Sequence, residues 1–164
     1  MTAYESFEKE YLRLFGGPVP PAFRQLEALY TDWNSKINVI SRKDIDNLYT
    51  HHVLHSLCIA AHILESGISL DGASILDLGC GGGFPGIPLA IMFPQAQFTL
   101  CDSVGKKTIV ASAVAESLGL ANVKVVNARA EALPDSLRYS FSNDSYAVIV
   151  LRSPSFSGSA ASIF

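Results

Sequence analysis

The stretch ILDLGCGGGFPGIPLA, residues 75–90, joins a short apolar run, a glycine cluster and a second apolar run. The first run, Ile75–Leu78, has the length and composition of a buried strand. Gly79, Gly81, Gly82 and Gly83 then form a tight turn. Glycine tolerates positive φ there, and its missing side chain lets a ligand touch the backbone. The residues from Gly86 onward read as a helix whose first amides face such a ligand. Pro88 suits the first turn of that helix.

Working outward from this unit, Ser74–Leu78, Phe98–Cys101, Val123–Val126 and Tyr146–Leu151 read as four strands. They lack clean alternation, as expected for strands covered on both faces. Helices are predicted between them, at about Gly86–Phe93 and Lys106–Leu118, with Gly119 as a C-cap. The order β-α-β-α-β implies a parallel sheet with right-handed crossovers, an α/β Rossmann-like fold. The region before the sheet reads as helical. Tyr4, Phe7, Tyr11 and Leu14 form one apolar stripe; Phe23, Leu26, Leu29, Trp33 and Ile37 form another. Gly16, Gly17, Pro18, Pro20 and Pro21 separate them. A third helix is expected from about Asp44 to Ser66, with Asp44 and Asp46 at its positive end and Gly67 at its stop. The chain thus divides into a helical region at 1–70 packed on the core, a Rossmann-like core at 71–152, and a small-residue tail at 153–164, within a single domain overall.

Composition narrows the function. The chain has 164 residues, 49% of them hydrophobic and 16% charged, which is a globular balance. No apolar run reaches membrane-spanning length, and the start lacks a basic n-region, so a cytoplasmic protein without a membrane partner is expected. The formal net charge of −3 argues against a strong non-specific nucleic-acid binder but leaves room for a local basic patch. Cys58, Cys80 and Cys101 lack C-x-x-C spacing and sit in apolar runs, as reduced, buried thiols do.

The spacing of the turn allows three readings. Gly81, Gly83 and Gly86 satisfy G-x-G-x-x-G, a dinucleotide pattern that is weak on its own. Asp77 with Gly79, Gly81 and Gly83 gives D-x-G-x-G-x-G, which suits S-adenosylmethionine. Asp102, closing the second strand, can accept the ribose hydroxyls of either ligand. The third reading is a bare strand-to-helix turn.

Several motifs add to these. They are Trp33-Asn34-x-Lys36-Ile37-Asn38, His52-Val53-Leu54-x-Ser56-Leu57, Asp77 through Ala90, Asp102-Ser103-x-x-Lys106-Lys107 and Arg129-Ala130-Glu131. Together, from about Leu29 to Arg152, the chain resembles the bacterial small-subunit rRNA guanine-N7 methyltransferases of the glucose-inhibited division B (GidB/RsmG) type. That resemblance implies the Rossmann-like sheet of S-adenosylmethionine-dependent methyltransferases, with methyl transfer to N7 of a guanine in the 530 loop of 16S rRNA. The 30S subunit or its rRNA would be the partner. It also implies that Gly79 and Phe84 line the cofactor, that Asp102, Ser103 and Val104 meet its ribose side, and that Ala130 and Glu131 flank its adenine. Arg152 would lie near cofactor and substrate. With Asp77, Gly81 and Gly83 these make up the expected cofactor site.

His55 stands where many members of the family carry an acid. The tail after Arg152, SPSFSGSAASIF, does not resemble the family's continuation, so a truncated or frame-altered chain is expected. Its fourth strand would then be an open edge inviting self-association. Two alternatives follow: a non-catalytic fragment that keeps the cofactor turn, and an NAD-dependent oxidoreductase.

Guanine N7 carries a lone pair at neutral pH, so no catalytic acid or base is assigned, and Arg152 is a candidate for positioning substrate. Lys36, Arg42, Lys43, Lys106 and Lys107 are candidate phosphate partners, or simply a solvated charged face. Trp33 could stack on a base but fits the helical stripe as core. His51, His52 and His55 lack the Cys or carboxylate set of a zinc site, so no metal is expected; His52 reads as a packed or hydrogen-bonded helix residue.

Overall fold

The computed structural model describes residues 1–133 and the backbone of residues 148–152. The tail at 153–164 lies outside the described residues.

Helix α1, Ala3–Phe15, begins at a capping box in which Thr2 and Glu5 exchange side-chain and backbone hydrogen bonds. It stops at Gly16. Phe7 and Tyr11 are buried. Helix α2, Ala22–Lys36, follows the proline-rich break and buries Phe23, Leu26 and Tyr30. The buried line therefore differs from the predicted stripe. Leu29, Trp33 and Ile37 are only partly buried against the core. Tyr30 goes fully inside because its hydroxyl finds a backbone acceptor there. The Trp33 ring lies instead under the Lys36 ammonium, 5.1 Å from its centroid. Lys36 is also paired with Asp32.

The third helical region is not the uniform helix expected. It comprises a 3₁₀ turn at Ile45–Asn47, a π-helical stretch at Leu48–Leu54 and α3 at His55–Glu65. Asp44 makes no capping bond. Its carboxylate is bonded instead by the imidazoles of His51 and His52. Its oxygens are thereby engaged by the histidines rather than by the first amides of the turn.

Four parallel strands follow: β1 Ser74–Leu78, β2 Gln97–Asp102, β3 Val123–Asn127 and β4 Val148–Arg152. Their order is β3-β2-β1-β4. Helices α4, Gly86–Met92, and α5, Gly105–Ser117, form the crossovers between β1 and β2 and between β2 and β3. Among the described residues, β4 pairs with β1 alone.

Side chains leave the sheet to two sides. Ile75, Phe98 and Leu100 join one cluster with Phe7, Phe23, Tyr30, Leu57, Ile87 and Val110, so the N-terminal helices, α4 and α5 share a core with the sheet. Leu76, Leu78 and Cys101 point the other way, onto Ala130 and Leu133. Asn122 ties the frame together: its buried amide donates to the carbonyls of Ala90, Phe93 and Ala96. Cys80 and Cys101 are buried as expected, whereas Cys58 is exposed, on the outer side of α3. No helix among the described residues is long and apolar enough to cross a membrane.

Candidate functional site

The parallel register brings the carboxyl ends of the strands to one edge. Leu78 pairs with Cys101 and Arg152, and Asp102 pairs with Asn127. The segments leaving these strands therefore converge, which is where open α/β sheets hold ligands.

The glycine turn is folded over the end of β2. The amides of Gly79 and Cys80 both donate to the Cys101 carbonyl, at 2.8 and 3.1 Å. Three glycines take positive φ: Gly79 at 74°, Gly81 at 55° and Gly83 at 122°. Two of them serve opposite purposes. Among the described residues a Cβ at Gly81 would meet nothing within 4 Å, whereas one at Gly83 would lie 2.5 Å from Ile87 Cδ1. Gly81 thus presents bare backbone to open space, and Gly83 permits close packing.

Asp102 joins the turn to the loop after β2. One carboxylate oxygen accepts from the Gly81 amide at 2.8 Å, and the other from the Val104 amide at 2.8 Å. The Asp102 carbonyl accepts from the Asn127 side chain at 2.9 Å and from the Ala128 amide at 3.1 Å. One residue therefore holds three segments in register. Ser103 and Val104 beside it are exposed. Ala130 is buried in the short helical turn Ala130–Ala132, and Glu131 is exposed. The backbone of Arg152 reaches the same edge opposite Leu78; its side chain lies outside the described set.

Asp77 is placed differently. It is completely buried, and one oxygen accepts from the Gly86 amide at 2.9 Å. The first amide of α4 is thereby used inside the protein rather than offered to a ligand, as the sequence suggested. The other oxygen, Oδ1, has no hydrogen-bond partner among the described residues. Burial pushes the carboxyl up to about 8, with repulsion from Asp102 adding to the shift and the Gly86 bond opposing it. Burial thus favours the neutral carboxyl, which braces β1 against α4 through the Gly86 amide. The Cys80 thiol is also pushed up, first by burial and then by Asp77, and stays protonated.

The outer side of the turn rests on the N-terminal region. Phe84 packs in a tilted arrangement against Tyr30, with ring centroids 4.8 Å apart, and lies 5.3 Å from His52. His52 is held by Asp44 at 2.6 Å, and hydrogen bonds from the two imidazoles hold the Asp44 carboxyl below its usual range. Asn34 folds the loop after α2: its carbonyl oxygen accepts from the amides of Val39 and Ile40, and its amide donates to the Ile40 carbonyl, each at 2.9 Å. That loop carries the exposed Arg42 and Lys43, while Lys106 and Lys107 open α5. No group of three or more metal-binding side chains occurs among the described residues. Tyr30 and Asn127 went unrecognised in the sequence. The only local signal was an asparagine ending a strand beside Asp102 and a tyrosine inside an apolar helical stripe.

Comparison with known proteins places the chain in a family. The family profile described as rRNA small subunit methyltransferase G matches residues 21–155. A ribosomal RNA small subunit methyltransferase G from Porphyromonas gingivalis is 61% identical over 117 residues, covering 71% of this chain and 51% of that protein. One from Flavobacterium psychrophilum is 61% identical over 110 residues, covering 66% of this chain and 50% of that protein. The chain thus spans about half the length of the curated relatives it matches. A solved magnesium protoporphyrin IX methyltransferase from Synechocystis with bound SAM is 18% identical, with a TM-score of 0.48 over 82% of this chain and 58% of that one. On the extent of the profile match and the identity to these relatives, the chain belongs to the rRNA small subunit methyltransferase G (GidB) family.

Proposed function

We propose that this chain carries the cofactor half of an S-adenosylmethionine-dependent enzyme that methylates guanine N7 in the 530 loop of 16S rRNA, with the 30S subunit or its rRNA as partner. The observation that carries the reading is the clamp of Asp102 on the Gly81 and Val104 amides, beside a Gly81 face that is open. Each Asp102 oxygen keeps a lone pair for a ribose hydroxyl, and the bare backbone at Gly81 leaves room for the rest of an adenosyl ligand. Gly79, Gly81, Ser103 and Val104 would surround it, with Ala130 and Glu131 on the adenine side. Gly83, Phe84 and Asp77 shape the turn from behind. Family membership favours this ligand over a nicotinamide dinucleotide.

When bound, S-adenosylmethionine supplies an electrophilic methyl group on a sulfonium. Guanine N7 offers its lone pair without losing a proton, so the protein needs no general base. What its residues contribute is alignment and exclusion of water. Arg42, Lys43, Lys106 and Lys107 are proposed phosphate partners, and Arg152 a proposed positioning group for substrate. The helical region at 1–70 and the core at 71–152 act as one domain in this reading, in the cytoplasm. β4 is a proposed self-association edge.

The test is titration of the chain with S-adenosylhomocysteine, followed by methylation of undermethylated 30S subunits with labelled S-adenosylmethionine. Saturable binding with label at a single guanine supports the whole reading. Binding without label selects the non-catalytic fragment, and preference for NAD overturns both.

A further inference from the structure

The run Gly81–Gly82–Gly83 is, by itself, the least ordered kind of backbone. Each glycine has more conformational freedom to lose on folding than any other residue. A turn that must present one arrangement to a ligand therefore needs external restraint. Asp102 supplies it from the ligand side, at the Gly81 amide.

The other side is restrained by residues that precede β1. The Tyr30 hydroxyl, fully buried, donates to the Gly82 carbonyl at 2.8 Å. Because a peptide group is planar, holding that carbonyl also orients the following amide. The Gly83 amide then donates to the Cys80 carbonyl at 2.9 Å and closes the turn. The Tyr30 ring adds its tilted contact with Phe84. Val39 completes the enclosure: a Cβ on Gly82 would come within 2.9 Å of Val39 Cγ2.

We infer that Tyr30 is a positioning residue for cofactor binding, fixing the Gly82–Gly83 peptide so that the glycine turn is already in its binding conformation before the ligand arrives. This rests on the proposal that an adenosyl ligand occupies the turn. It makes the N-terminal helical region part of the cofactor site, at one layer's remove from the ligand.

A second tyrosine provides the control. Tyr49 is also buried, and its hydroxyl donates to the Phe23 carbonyl at 2.9 Å, away from the turn. Tyr49→Phe deletes the same kind of bond without touching residues 79–84. The full chain is titrated calorimetrically with S-adenosylhomocysteine as wild type, Tyr30→Phe and Tyr49→Phe, and amide hydrogen exchange is measured without ligand. We expect Tyr30→Phe to weaken binding about tenfold, the loss when the competent turn falls to about a tenth of the population. Exchange at Gly83 and Phe84 should accelerate, and Tyr49→Phe should change neither. Equal affinity and equal exchange in the two variants overturn the inference. If the wild type does not bind S-adenosylhomocysteine, the cofactor reading falls. The exchange arm then decides whether Tyr30 orders the turn: faster exchange confined to Gly83 and Phe84 sustains it, and uniform exchange overturns it. Val39→Ala relaxes the other side of Gly82 without removing a hydrogen bond. It should shift both readouts in the same direction as Tyr30→Phe, and wild-type behaviour would count against the enclosure.

Discussion

Gly81 and Gly83 sit two positions apart in one turn, yet alanine should do opposite things at them. At Gly83, φ is 122°, a region that disfavours a side chain, and the new methyl would lie 2.5 Å from Ile87 Cδ1 and 2.9 Å from the Tyr30 hydroxyl. Backbone strain of this kind is worth about 1–3 kcal/mol. Forcing a methyl into a filled core adds about 1–3 kcal/mol. The sum, about 2–6 kcal/mol, is a large part of the roughly 5–15 kcal/mol that holds a domain folded. The midpoint of thermal unfolding should fall by roughly 4–24 °C, at about 2–4 °C per kcal/mol. At Gly81, φ is 55° and a Cβ meets nothing within 4 Å among the described residues. Only the left-handed penalty remains, about 1–2 kcal/mol, or a few degrees. Yet that methyl would project into the space proposed for the ligand. Gly81→Ala should therefore stay folded and lose S-adenosylhomocysteine, while Gly83→Ala should lose stability first. Scanning calorimetry and ligand titration on both variants separate the two. Equal destabilisation by the two substitutions, or unchanged ligand affinity in Gly81→Ala, would refute the assignment of an open and a packed glycine.

Three further outcomes follow from particular groups. Asp77 has a folded-state carboxyl pushed from 3.8 to about 8, so the folded chain holds a proton that the unfolded chain releases. Its contribution to stability is complete below pH 4 and declines as pH rises towards 8. Urea denaturation across that window should show the decline in the wild type and a flatter profile in Asp77→Asn; parallel profiles would refute the neutral carboxyl. Asp102→Ala removes acceptors from the Gly81 and Val104 amides, and calorimetric titration should show S-adenosylhomocysteine affinity falling by at least about tenfold, on the scale of a lost charged hydrogen bond. Asn34→Ala breaks three bonds to the loop at residues 39–40 and should cost about 2–3 kcal/mol in urea denaturation; a loss below 0.5 kcal/mol would mean that the loop is held otherwise.

The strand β1 was readable to the residue, Ser74–Leu78, because a short apolar run ending in glycines has few alternatives in a chain of this kind. Gly119 was legible for the same reason: it adopts φ of 66° just after α5. The place of Asp102 at the end of β2 was legible. Its hydrogen-bond partners were not, because they depend on how two loops stack above the sheet. The third helix was misread at its start. Asp44 resembles a cap in isolation, and only the approach of His51 and His52, seven and eight positions on, shows where its carboxylate is spent.

Local pattern alone was enough for the parallel α/β architecture and the glycine turn, since strand, turn and helix signals depend on residues a few positions apart. The motifs from Trp33 to Glu131 then singled out one family. Which side of the turn is open depended on contacts that no local pattern carries. Tyr30 reaches Gly82 across 52 positions of sequence, and that contact exists only once α2 has packed against the sheet. The division of the glycines into an open Gly81 and a packed Gly83 is a consequence of that packing, because backbone freedom is the same in both until a neighbour occupies the space.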